Sequence, residues 1–222
     1  MQITIHRALA IAKKNNDKLT DMLTNTARYI GTTIPGRGDK ATCSGMTIEA
    51  AKSEFKSNYD KFMACYENLV DIRCKIARSN AGIAPDTTNV HTTQVTLAEG
   101  KKIDATVSDI IILNKNLCYM KDFVALLARQ YNRAKDEVER FNRNVDCRLD
   151  ELYTKAGGSK ENAPEGLVDA ESYHKMNDYA LVDPLNLAEN IAKLQNRCEQ
   201  LEVEYDAALS TLNATTIIEV AD

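Results

Sequence analysis

The chain has 222 residues, among them 9 glycines, 4 prolines and no tryptophan, and its formal net charge is −4. So few glycines and prolines exclude collagen-like and proline-rich chains, and they disfavour β-sandwiches and propellers, which need turn residues at every reversal. The acidic balance gives no electrostatic reason to bind nucleic acid, which requires clustered lysine and arginine. The composition therefore predicts a few long elements joined by few connections.

The first half of the chain contains two segments in which apolar residues recur at every third or fourth position. This spacing places them on one helix face, and it predicts helices at about 4–28 and 47–80. The connection 29–46 is rich in glycine and threonine and predicts a β-ribbon or loop, and 81–96 is predicted to be a second loop. We call the apolar stripe of a helix its seam. The seam of the first helix consists of Ile5, Leu9, Ala12, Asn16, Leu19 and Leu23.

The longest periodic segment predicts a third helix at about 97–156. Its predicted start, Thr96-Leu97-Ala98-Glu99, fits a capping box, and Gly157-Gly158 supplies a stop. At a rise of 1.5 Å per residue, this helix would be about 90 Å long.

The C-terminal part of the chain predicts a fourth helix at about 184–212, with Asp183 as N-cap and Pro184 at the first helical position. The connection 157–183 is predicted to be a loop. Three short stretches, Gln2-Ile3, Thr92–Val95 and the terminal segment 215–220, have the composition of strands and could form a small sheet together.

These elements predict a mainly α fold. We expect long antiparallel helices in a coiled-coil bundle, with a small β patch at one end and a β-ribbon or loop at the other. The whole chain, 1–222, is predicted to be a single elongated helical domain.

Polar residues interrupt the predicted seams at Asn16, Asn58 and Asn114. A buried asparagine in a coiled coil costs stability but fixes register or oligomer state. The alternative is that each asparagine faces solvent at a local irregularity, and the sequence favours neither interpretation. Tyr131 and Phe141, on the seam of the third helix, are further candidates for an oligomer contact.

The sequence offers no catalytic constellation, so we expect a protein without enzymatic activity, cofactor or bound metal. Gly31–Gly38 resembles a phosphate loop but lacks the Gly-Lys-Ser/Thr ending, which favours a surface turn. If this loop does bind a ligand, Thr32, Thr33 and Arg37 are the candidate contacts. The 6 cysteines include no C-x-x-C pair and are predicted to be free thiols, most of them buried.

Several short segments resemble one pattern. The chain is similar to uncharacterised helical proteins of tailed phages that infect Gram-positive hosts, often loosely labelled tail fibre. The similarity lies in Ile5-His6-Arg7-Ala8-Leu9, Ile76–Asn80, Thr96–Gly100, Leu181–Asn186 and Asn213–Val220. The resemblance implies an all-helical, self-associating protein. It transfers no catalytic residue, since none is established in that group.

A more distant resemblance connects the chain to the septicolysin-like family of small bacterial coiled-coil proteins. It lies in the order of elements: a helix, an exit containing Asn80, the Thr-Leu-x-Glu sequence at Thr96–Glu99, and a terminal helix. The two resemblances together cover about 3–28, 66–130 and 181–220, and they do not cover 29–46 or 153–180. This second one also implies a helical protein and assigns no site residue.

Two functions are consistent with these features. The first is a non-enzymatic, phage-encoded structural or assembly protein that acts through helix-mediated homo-oligomerisation, with other phage proteins as further partners. The alternative is a phage binding module that sequesters a host factor or a small signalling molecule. The N-terminal residues lack a hydrophobic signal core, so we expect the protein in the phage virion or the bacterial cytoplasm. We expect no nucleic-acid partner and no membrane span.

Overall fold

The structure, a computed structural model, describes residues 3–24, 27–34, 45–83, 91–159 and 165–215. Within these ranges the chain forms five helices and four strands. The helices are α1 (Ile5–Thr24), α2 (Ile48–Asn80), α3 (Val107–Lys155), α4 (Ala170–Asn177) and α5 (Leu187–Thr215). The strands are β1 (Gly31–Thr33), β2 (Thr93–Thr96), β3 (Lys102–Ala105) and β4 (Ala180–Val182). The predicted mainly α class with small antiparallel β pairing is confirmed.

Helix α3 begins at Val107, and the predicted start at 97 is wrong. Strands β2 and β3 form an antiparallel hairpin in which Val95 pairs with Ile103, so the predicted capping box lies in the hairpin turn. The capping box that starts α3 directly follows strand β3. The Thr106 amide donates to Asp109 Oδ2 at 2.9 Å, and the Asp109 amide donates to Thr106 Oγ1 at 3.2 Å. The helix of 49 residues is therefore about 74 Å long.

Glycines in the left-handed conformation end α2 and α3, close to the predicted positions. Gly157 has φ +76°, and the amide of Gly158 donates to the Tyr153 carbonyl at 2.9 Å. Gly82 has φ +69°, and the Ile83 amide donates to the Arg78 carbonyl at 3.0 Å. Both ends are Schellman motifs, in which a residue without Cβ takes a conformation that costs other residues energy.

Helix α5 begins at Leu187, three positions after the predicted start, because Pro184 and Leu185 form a turn. Asp183 still caps the helix from that turn. Its carboxylate accepts from the Leu187 amide at 2.6 Å and from the Leu185 amide at 3.2 Å. The predicted end at 212 is also early, since the helix continues to Thr215.

Replacing Asp183 with alanine is expected to lower the free energy of unfolding by about 1 kcal/mol, because two amides at the start of α5 lose their acceptor. Urea denaturation followed by circular dichroism measures the change. Asp183→Asn keeps an acceptor oxygen and should recover part of the loss. If the alanine and asparagine variants were equally stable, the capping role would be contradicted.

The connection predicted as a loop at 157–183 contains two regular elements. Asp169 caps α4 by accepting from the Ser172 amide at 2.8 Å. Strand β4 follows and pairs with β1 of the predicted 29–46 ribbon, with Thr32 opposite Leu181. A strand of three residues has too short a pattern to be identified from sequence. In the predicted terminal strand 215–220, Thr215 ends α5, and 216–220 lie outside the described residues.

The chain divides into two compact units, each assembled from segments that are distant in sequence. Unit 1 comprises 1–26, 60–126 and 189–222, and unit 2 comprises 27–59 and 127–188. The core of unit 1 contains the buried Leu19, Phe62, Leu69, Leu117, Phe123 and Leu201. In unit 2, Ala51, Phe55 and Val182 form a buried cluster against which Met46 and Ile48 pack. The single elongated domain stays a prediction.

Candidate functional site

A polar cluster around Asn16 connects three helices of unit 1. Asn16 Oδ1 accepts hydrogen bonds from Arg73 Nη2 at 2.8 Å and from the Tyr119 hydroxyl at 2.6 Å. Arg73 also donates through Nη1 to Asn116 Oδ1, and the buried Asn116 donates to the Ile112 carbonyl at 2.6 Å. Sliding α1, α2 or α3 by one turn would leave these polar groups without partners. The cluster therefore favours one helix register.

A buried ion pair joins the end of α2 to the start of α3. Asp109 is fully buried, and Arg78 donates to it from Nη2 at 2.7 Å and from Nε at 2.9 Å. Burial alone would raise the pKa of Asp109, but the hydrogen bonds from Arg78 and Thr106 outweigh it and hold that pKa below the usual value. Arg78 Nη2 also donates to the Asp104 carbonyl at 3.0 Å, which attaches β3 to α2.

The other edge of the hairpin is attached to α5. Glu204 Oε1 accepts from the Thr96 amide at 2.7 Å, and the Tyr205 hydroxyl donates to the Thr96 carbonyl at 2.8 Å. Arg197 Nη2 donates to the Leu97 carbonyl at 2.9 Å. Both edges of the hairpin are thus bonded to helices, and these bonds fix its position within unit 1.

A groove of about 610 Å³ lies in unit 1 between α2 and the hairpin turn. Its apolar lining includes Val70, Cys74, Leu97, Ile103 and Leu113. Its charged lining consists of four acidic and three basic residues, and one of the basic residues, Arg78, is bonded to Asp109. The volume is typical of pockets that take small molecules, and a few polar groups around an apolar lining are what such pockets have.

Glu67 and Glu99 both line this groove. Burial raises the pKa of Glu67, and the nearby charge of Glu99 raises it further. Deeper in the groove, burial and then the charge of Asp109 raise the pKa of the Cys74 thiol to about 12. A thiol with that pKa is protonated at neutral pH, so Cys74 lines the groove as a weakly polar group and is a poor nucleophile.

Of the other predicted register residues, Asn58 and Asn114 both bond to another element. Asn58 Nδ2 donates to the Arg28 carbonyl at 3.0 Å, and Asn114 Nδ2 donates to Asp206 Oδ1 at 2.9 Å. Phe141 packs on Tyr179, with ring centroids 4.6 Å apart. Tyr131 is half-buried on α3.

The predicted ligand residues lie in a different environment. Thr32 and Thr33 are buried in β1, which favours a structural role. Arg37 lies outside the described residues. Of the five described cysteines, all free, Cys65, Cys74 and Cys198 are buried and two are exposed.

An exposed apolar face remains on α1. Ile5 and Leu9 are the first two positions of the predicted seam, and their side chains are 45% and 52% exposed. The later seam positions Ala12 and Leu19 are buried. The buried face of α1 also includes Ala8, so Ile5 and Leu9 lie beside that face and present isoleucine and leucine to solvent.

In unit 2, His174 connects α4 to α3. His174 Nδ1 lies 3.0 Å from Asp178 Oδ1, and Nε2 lies 3.4 Å from Asp146 Oδ1.

Among the described residues, no group of three or more His, Cys, Asp or Glu side chains is arranged to hold a metal ion. In the same part of the chain, no helix has the length and apolar character that crossing a membrane requires.

Sequence reasoning identified Asn16 but missed its partners Arg73 and Tyr119, and it missed Arg78 with Asp109. One signal was available, since Thr106-Val107-Ser108-Asp109 has the spacing of a capping box.

Comparison of the chain with family models, with curated proteins and with solved structures gave no match.

Proposed function

We propose that this protein is a non-enzymatic assembly protein of a bacteriophage, and that it acts by associating with further copies of itself through its helices. The observation that carries the proposal is the exposed pair Ile5 and Leu9 on α1. Its phage origin rests on the sequence resemblance at Ile5–Leu9, Leu181–Asn186 and Asn213–Val220.

A second copy of α1 is the proposed occupant of the exposed face. Ile5 and Leu9 are one turn apart and continue the seam of Ala12 and Leu19. A two-fold contact places the same patch on both subunits, so a self-complementary apolar stripe can cover itself. Burying four such side chains, two from each copy, removes from water apolar surface that is exposed on α1.

The long helices support a coiled-coil bundle as the architecture of the assembly. In unit 1, α3 and α5 run in opposite directions, since Asn114 bonds to Asp206 while Lys121, further along α3, pairs with Glu202, earlier on α5, at 2.7 Å. Such polar pairs beside an apolar seam are how coiled coils select partners and orientation.

The double variant Ile5→Ser/Leu9→Ser is expected to be monomeric at concentrations where the natural protein is oligomeric. Both side chains are about half exposed, so the change should remove the contact between copies without opening a cavity. Light scattering coupled to size-exclusion chromatography measures the mass. Met176→Ser, at another exposed apolar position in unit 2, is the control and should leave the mass unchanged. A natural protein that is monomeric at 100 µM would contradict the proposal.

The second candidate function is a binding module, and the groove of unit 1 is the observation that favours it. The groove combines an apolar lining with charged groups, and it is built from α2, the hairpin turn and Leu113 of α3. This function does not depend on self-association, and it predicts binding by the monomeric variant as well.

A further inference from the structure

We infer that the groove of unit 1 binds a small organic ammonium ion, a molecule with an apolar body and a protonated amine. The inference rests on the second candidate function and names its ligand class.

The apolar lining determines the body of the ligand. Val70 and Cys74 from α2, Leu97 and Ile103 from the hairpin, and Leu113 from α3 all contribute to the wall. Leu113 and Val70 are almost fully buried, so the inner wall is set by the packing of unit 1. A groove of about 610 Å³ with this wall accommodates one or two rings or an equivalent alkyl body.

The charges determine the polar group of the ligand. Four carboxylates line the groove, those of Glu67, Asp71, Glu99 and Asp104. Of the three basic side chains that line it, Arg78 is bonded to Asp109 and Lys75 pairs with Asp71 at 2.7 Å.

Lys101 is the third basic side chain. One lysine does not balance the remaining carboxylates, so the groove has an excess of negative charge. The excess includes Glu67 and Glu99, and the nearby charge of Glu99 raises the pKa of Glu67 after the larger effect of burial. An ammonium group bound in the groove beside these carboxylates would offset their negative charge and gain charge-assisted hydrogen bonds. A phosphate or carboxylate group would be repelled from the same place.

The test uses three probes with the same apolar body: 2-(1-naphthyl)ethylamine, 2-(1-naphthyl)ethanol and 3-(1-naphthyl)propionate, each titrated into the full chain and followed by amide NMR shifts. The amine is expected to bind at least tenfold more tightly than the alcohol, and the propionate more weakly than either. The shifts should concentrate at Glu67, Val70, Leu97 and Glu99. Binding of the amine no tighter than the alcohol would overturn the inference, and so would shifts elsewhere.

Variants then distinguish the contribution of the carboxylates, which would bind the ammonium group, from that of the apolar wall, which would bind the body of the ligand. Glu67→Gln/Glu99→Gln should abolish the preference for amine over alcohol while the alcohol still binds, which shows that the groove is intact. Asp60→Asn/Asp122→Asn changes the net charge equally at exposed positions of unit 1 and should keep the preference. A preference that persists in the first variant would overturn the assignment of Glu67 and Glu99.

An ATP titration distinguishes failure of the ligand class from failure of the binding function. If ATP shifts the groove amides and the amine does not, the ligand class is wrong and the binding function stands. If none of the four probes shifts them, both are contradicted. Neither outcome bears on self-association, which light scattering measures separately.

Discussion

Replacing Asp109 with alanine is expected to lower the free energy of unfolding by about 3 kcal/mol, near the low end for breaking a buried ion pair. Asp109 is fully buried, and it accepts hydrogen bonds from Arg78 and from the Thr106 amide and hydroxyl. Its removal leaves the Arg78 guanidinium without its anion and the Thr106 amide without an acceptor. The low end applies because the Arg78 side chain is 39% exposed and water can solvate part of its charge.

Urea denaturation at pH 7 measures this loss, and Asp104→Ala is the matched control. Asp104 takes part in the same contact only through its backbone carbonyl, so its side chain should be removable at a cost within about 0.5 kcal/mol. Equal stabilities of the two variants would contradict the role of the ion pair.

The same carboxylate predicts a dependence on pH. The pKa of Asp109 is lower in the folded protein than in the unfolded chain, so its contribution to stability is present above the unfolded value, near 4, and is lost as the pH falls through the folded value. The natural protein should therefore lose more stability between pH 5 and pH 3 than Asp109→Ala does.

The second large effect is expected at Phe123, where alanine should lower the free energy of unfolding by about 3–5 kcal/mol. Phe123 and Phe62 are both fully buried in unit 1, and their rings stack with centroids 3.7 Å apart. Alanine at 123 removes the stacked ring and opens a cavity between α2 and α3. The resulting loss is read from urea denaturation.

Phe123→Leu fills most of the cavity and should cost much less than alanine. The double variant Phe62→Ala/Phe123→Ala should lose less than the sum of the two single variants, because each alanine removes the same ring contact. Strict additivity of the two changes would show that the stacking contributes nothing of its own.

The sequence predicts a helix well where its seam is long, because many residues that are close in sequence repeat the same three- and four-position spacing. Helix α2 begins and ends within one residue of its predicted limits. The predicted start of α3 is wrong because Thr96–Glu99 and Thr106–Asp109 both have the spacing of a capping box. Which of them starts the helix depends on the pairing of β2 with β3 and on the bond of Arg78 with Asp109, and neither is local.

The candidate sites are predictable only in part, for a related reason. The polar break at Asn16 marks a special position on one helix, but one seam cannot show that Arg73 and Tyr119 meet it. The groove depends on a hairpin turn that the sequence assigned to a helix. The pairing of β1 with β4 joins residues about 150 positions apart, and three-residue strands carry no signal that specifies each other.

The attachment of β2 to α5 has a consequence for synthesis on the ribosome. Thr96 bonds to Glu204, which is 108 residues later in the chain. At 5–20 residues per second, the ribosome needs roughly 5–20 s to make that interval. During this time the hairpin can form from its own residues, but the outer edge of β2 has no helix to cover it. An uncovered strand edge can pair with strands of other chains, so the nascent protein is most exposed to aggregation before its last helix emerges.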